Sequence, residues 1–156
     1  MRTKVLFLIA AAALLVSCTK DPKESIEGIW GLTHYEQVAS VGTDSYPFSF
    51  DCNPDAPGTT YDLKMVVTNK SGNDYLFDNY IWNGSSWSFM SQVEYHVKGN
   101  SISMDGSDLK ATFKVTGDIF TVKSQFSEIE DGAFYGKTGT VTVNYTVNSI
   151  YKRLSE

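Results

Sequence analysis

The chain is poor in the residues from which most enzyme and metal sites are built. Two of its 156 residues are histidine and two are cysteine. His34 and His96 are far apart, and no His/Cys group stands at metal-ligand spacing, so no metal centre is expected. There is no phosphate-cradling glycine loop and no nucleophile elbow. No pair of acids stands out at a spacing suited to proton transfer, so neither an enzyme nor a cofactor is expected. Asp51-x-Asn53-x-Asp55, with Thr59 and Asp62 beyond, echoes a calcium loop, but Ala56 replaces the glycine such a loop needs and Pro54 stiffens its middle. Positive charge is also short: 13 Lys and Arg face 18 Asp and Glu, for a net charge of -5. That balance argues against nucleic acid and against charge-driven binding to anionic membranes. After residue 30 no window holds helical periodicity over three turns.

What is present begins with a leader. Arg2 and Lys4 precede an apolar run, Val5 to Val16, of about a dozen residues. That is too short to span a hydrocarbon core of ~30 Å as a helix and suits a signal sequence. The run ends in Leu15-Val16-Ser17-Cys18, which resembles the lipobox of bacterial lipoproteins. The resemblance implies that residues 1–17 are removed, that Cys18 carries acyl chains such as palmitate, and that 18–25 form a tether to a domain over 26–156. Thr19 stands where lipoproteins kept in the inner membrane carry Asp, which implies attachment to the outer membrane, on its periplasmic or its surface face. Asp21-Pro22-Lys23-Glu24 reads as a brief capped turn. Removing 17 of 156 residues leaves 139, enough for one domain with a real core. Removing Arg2 and Lys4 leaves 11 basic against 18 acidic residues, a net of -7. With Cys18 lipidated, Cys52 has no partner for a disulfide; its neighbours Asp51 and Asp55 raise its pKa, and it reads as a half-buried apolar filler.

The mature chain alternates with period two. The first strand runs from Gly28-Ile29-Trp30 to about Val38, with Trp30, Leu32, His34, Glu36 and Val38 on one face. Residues 39–58, with three prolines and the aromatics Tyr46, Phe48 and Phe50, read as a long irregular loop. Seven further strands follow, centred on Met65, Phe77, Tyr95, Ile102, Phe113, Val122 and Tyr145, most joined by short glycine-containing turns. A phase slip at Asn148-Ser149 suggests a bulge there, and 127–137 reads as a loop. The expectation is an all-β fold: an eight-stranded antiparallel up-and-down barrel, with a two-sheet sandwich as the alternative.

The Gly28-Ile29-Trp30 start resembles the Gly-x-Trp signature of lipocalins, and the chain ends its last strand with Tyr151-Lys152-Arg153-Leu154. The resemblance spans 25–154 and extends to small lipocalin-like bacterial lipoproteins. It implies that Arg153 packs over Trp30 at a closed barrel end, and that a small apolar or amphipathic ligand binds at the other. The Thr-Asp-Tyr motif and the C-terminal helix of lipocalins are absent.

On this reading His34 and Glu36 point inward with Trp30, near the open end, where they could orient a ligand or form an ordinary rim pair. Phe77, Trp87, Phe89, Tyr95, Phe113, Phe120 and Tyr145 are bulky candidates for the interior, which side chains alone can fill in an eight-stranded barrel. The 39–58 loop, with Tyr46 and Phe48, could act as a lid. Trp82 and Trp87 flank the Asn83–Ser86 turn, either as a sugar-stacking platform or as a hairpin clamp. The alternative function is therefore a filled barrel that binds glycan or protein through exposed aromatics.

Overall fold

The structure is a computed structural model in which residues 25–59 and 61–155 are described. The leader, Cys18, the tether up to residue 24 and the turn at 21–24 lie outside the described residues. Nine strands form: β1 (Gly28–Val41), β2 (Asp44–Asp51), β3 (Leu63–Ser71), β4 (Asp74–Trp82), β5 (Trp87–Lys98), β6 (Ser101–Ser103), β7 (Lys110–Thr116), β8 (Ile119–Asp131) and β9 (Thr140–Arg153). One short 3-10 helix, Gly132–Tyr135, joins β8 to β9. No helix among the described residues is long and apolar enough to cross a membrane.

Each strand from β3 to β9 pairs antiparallel with the next, and β9 pairs back onto β1 from Trp30–Arg153 to Ser40–Asn144. Eight strands therefore close a ring, the expected up-and-down barrel rather than a sandwich. Closure removes the edges an open sheet would expose. Tight turns make the neighbouring pairings possible: Gly72 and Gly99 sit at φ 57° and 60°, where a side chain would be strained.

The ninth strand is a correction. Residues 39–58 are not a loop throughout: β1 runs on to Val41, and β2 folds back along it from Val41–Asp44 to His34–Asp51. The lower part of β1, Gly28 to Gly31, pairs instead with β3. β2 is thus an edge strand, and Pro47 is tolerated there because no second neighbour asks for its missing N–H. The 127–137 segment is also less irregular than expected, since β8 continues to Asp131.

Two bulges decide which side chains face inward. The register of β1 against β9 slips between Leu32 and His34, leaving Thr33 unmatched. Below the slip Trp30 and Leu32 point inward; above it Tyr35, Gln37, Ala39 and Val41 do, opposite the inward residues Ser149, Val147, Tyr145 and Val143 of β9. A one-residue slip turns every later side chain over. β9 keeps its register against β8 throughout and Ser149 continues its inward face, so the bulge expected at Asn148-Ser149 is not there; the slip is on β1, at Thr33, opposite Ile150 and Tyr151. The second slip, between Asn79 and Tyr80 of β4, leaves Met90 of β5 unmatched. Beyond it Phe89 and Trp87 pair with the outward residues Tyr80 and Trp82.

The core has two parts along one continuous face. The larger packs Trp30, Met65, Val67, Phe77, Val97 and Phe120 with others toward the end where β1 begins. The smaller packs Ala39, Val41 and Val143 against Tyr46, Tyr135 and Tyr145 at the opposite end. Outside the wall, Gly31 lies under Pro54, so close that a Cβ would overlap the proline ring.

Candidate functional site

The closed end is sealed by side chains. The Trp30 indole is fully buried and donates Nε1–H to the Ile26 carbonyl at 2.8 Å. Arg153 covers its face, the guanidinium carbon 4.1 Å from the ring centroid, and its two terminal nitrogens donate to the Glu27 and Ser25 carbonyls at 2.8 and 2.9 Å. Gly28 stands where any Cβ would come within 2.5 Å of the Arg153 Nη1. Gly28, Trp30 and Arg153 therefore form one plug.

Above the plug lies an interior cavity of about 160 Å³, lined by Met65, Phe77, Asn79, Tyr95, Val122 and Tyr151 among others. Its walls mix apolar side chains with phenol, hydroxyl and amide groups. Burial pushes the Tyr151 phenol up to about 12, against a hydrogen bond with Ser149 that pulls it down, and Tyr35 and Tyr95 add smaller rises. Burial also raises Tyr95 and Tyr35. All three stay neutral and can donate or accept hydrogen bonds at physiological pH.

From Tyr151 the inner surface climbs to the open end along an aromatic row. Tyr35 stacks on Phe50 at 5.2 Å, and Phe50 touches Phe48 at 5.6 Å and Tyr61 at 5.0 Å. Tyr46, Phe48 and Phe50 alternate on β2 and pair with the inward residues Ala39, Gln37 and Tyr35. Phe48 is 48% exposed and Tyr61 57%. Large apolar groups left open to water on the inward face of a barrel are the unusual feature of this surface.

The rim is clipped by polar groups. Tyr135 and Tyr145 both donate to the Glu130 carboxylate, the former at 2.9 Å, and the Tyr46 hydroxyl donates to the Tyr135 carbonyl at 3.1 Å. Burial, then the Glu130 and Tyr135 bonds, hold the Tyr145 phenol far above its ordinary range. Lys137 pairs with Asp44 at 2.6 Å and ties the β8–β9 connection to the β1–β2 turn.

The candidate residues fall into three groups. Tyr46 and Phe48 lie at the mouth, on a strand rather than a mobile lid. His34 and Glu36 are not inside, because the Thr33 bulge turns them outward; His34 bonds Asp51 at 2.7 Å and Glu36 is exposed. Trp82 and Trp87 are direct cross-strand partners on the outer wall, their rings 5.5 Å apart, with Lys64 5.2 Å from Trp87. Trp87 and Phe89 therefore do not fill the interior. Sequence reasoning passed over Tyr35, Gln37, Phe50, Tyr61, Glu130 and Tyr151; the Tyr46-x-Phe48-x-Phe50 alternation was the signal for the wall they share. Each acid of the calcium-like series is engaged elsewhere, Asp51 with His34, Asp55 with Lys152 and Asp62 with its own loop. Cys52 is half-buried, its Sγ 3.3 Å from the Tyr61 carbonyl, and burial with the Asp62 and Asp51 charges pushes its thiol up to about 11.

No family model matches the chain, and no curated protein matches it. Among solved structures the chain is similar to the siderocalin Ex-FABP, a protein described as functioning through dual ligand specificities, with a TM-score of 0.46 and 7% identity over 83% of this chain and 70% of that one.

Proposed function

We propose that the chain is a lipid-anchored binding protein that takes a small apolar or amphipathic ligand at the open end of its barrel, as the lipocalin resemblance implies. The observation that carries this is the inner aromatic row of Phe48, Phe50 and Tyr61, the first and last of them exposed, which continues through Tyr35 toward Tyr151 in the cavity wall. Burying one such ring contributes about 1.5–3 kcal/mol. The cavity is smaller than the roughly 300–1,000 Å³ of sites that enclose a whole ligand. Part of the ligand therefore enters the barrel and the rest lies along β2. Acyl chains on Cys18 hold the domain at the outer membrane, and the chain enters the domain at the closed end, where β1 starts. Native mass spectrometry of the mature chain tests the binding. A co-purified small molecule that Phe48→Ala loses supports it, and a barrel that stays empty and takes up no added amphiphile contradicts it.

A second reading places recognition on the outer wall. Phe89 and Met90 are 60% and 52% exposed beside the Trp82–Trp87 pair, which offers a stacking surface to a glycan or protein. A glycan array with a Trp82→Ala control separates the two: binding lost with that substitution favours the outer wall.

A further inference from the structure

Resting on the mouth as a binding site, we infer that its ligand is a cationic amphiphile: an ammonium head at the rim and an alkyl tail running down toward the cavity. The charge inventory of the inner surface carries this. Inward positions on β8 are the even-numbered residues from Phe120, so Glu128 and Glu130 both face the mouth, opposite Val143 and Val141. Neither forms an ion pair among the described residues; Glu130 receives only phenol hydrogens from Tyr135 and Tyr145. The lysines of β7, β8 and β9 occupy outward positions: Lys110 pairs with Gln125, Lys114 with Thr121, Lys123 with Asn148, and Lys152 bonds Asp55. Lys137 at the rim is neutralised by Asp44. Arg153 is the inward cation, and it lies in the plug with its terminal nitrogens on backbone carbonyls.

A carboxylate or sulfate head entering here meets two carboxylates and no free cation, which is unfavourable in a partly desolvated cleft. A positive head meets the opposite. Across the strands the inner face reads Phe126, Tyr145, Ala39, Tyr46 in one row and Ser124, Val147, Gln37, Phe48 in the next. Strand geometry therefore puts the Phe48 ring about 7 Å below Tyr46 and the rim acids above it. Aromatic faces beneath a pair of carboxylates form a surface suited to an ammonium group, each ring contributing about 0.5–1 kcal/mol at an exposed site. The tail then follows Tyr35 and Tyr151 into the cavity, along the side chains of Met65, Phe77 and Val122.

Three probes with ten-carbon chains test this by calorimetry on the protein, below their micelle or solubility limits: decyltrimethylammonium, decanoate and decanol. The expected result is that the cation binds about tenfold or more tightly than decanoate, with decanol between them and a gap that narrows in high salt. Glu128→Gln, an exposed change, and Glu130→Gln, which preserves an acceptor for both tyrosines, should each shrink the gap. If Glu130→Gln fails to fold, Glu128→Gln alone gives the readout. Equal affinities for all three overturn the charge preference and leave the binding site standing. A preference for decanoate also overturns it. No binding of any probe overturns the site and the preference together.

Discussion

Arg153 is the last residue of the last strand and Trp30 the third of the first, and the guanidinium of one lies over the indole of the other, 4.1 Å from its centroid. The contact joins the two strands that close the ring, at the place where they meet. Removing the arginine loses a cation–π contact and two charge-assisted hydrogen bonds, so Arg153→Ala should lower unfolding free energy by about 2–3 kcal/mol. Arg153→Lys keeps the charge but not the fork and should recover part of it. Urea denaturation checks this; a loss under about 0.5 kcal/mol contradicts the plug.

Asp62 organises the 52–62 connection. It is buried, and its carboxylate accepts from the Gly58 and Thr59 N–H groups at 2.8 and 2.7 Å and from the Thr59 hydroxyl at 3.1 Å. Burial alone would raise its pKa; the Thr59 and Gly58 bonds outweigh that and hold it below the ordinary range. A depressed carboxyl contributes stability that is present above its unfolded value, about 3.9, and lost as pH falls through the folded one. Wild-type stability should therefore drop below about pH 4, and Asp62→Asn should be less stable at pH 7 with a shallower acid slope. Equal slopes in the two proteins count against this role.

The Cys52 thiol, pushed up to about 11, is almost wholly protonated at neutral pH. Since thiolate is the nucleophile, alkylation by iodoacetamide should be slow at pH 7.5 and accelerate until the pH nears 11. Fast labelling at pH 7.5 would mean an activated thiol instead.

Trp82 and Trp87 brace the β4–β5 hairpin edge-to-face at 5.5 Å. Replacing either with alanine should cost about 1 kcal/mol or more of stability and leave ligand affinity at the mouth unchanged, because both rings are outside the wall. A selective loss of amphiphile binding in Trp82→Ala would relocate the site.

The barrel and its plug were legible in the sequence because alternation and strand ends are local signals. Trp30 opens the first regular strand and Arg153 ends the last, so a closed ring brings them together. β2 was hidden by Pro47, which reads as a strand breaker until an edge position excuses it. The two bulges left no such trace. Nothing at Thr33 or Met90 distinguishes a one-residue slip from continued alternation, yet each slip turns over every residue beyond it. That is how His34 and Glu36 came to be expected inside, and Trp87 and Phe89 with them. Glu130 was missed because β8 outruns the apolar core, where neither face of the strand shows alternation.

Two-dimensional aromatic NMR of the protein, titrated in turn with decyltrimethylammonium, decanoate and decanol, tests the mouth as a binding site most directly. A ligand bound there shifts the Phe48, Phe50, Tyr61 and Tyr151 ring resonances in a saturable way and leaves Trp82, Trp87 and Phe89 where they were. Shifts confined to the outer-wall rings, or none at any concentration below the micelle threshold, would contradict it.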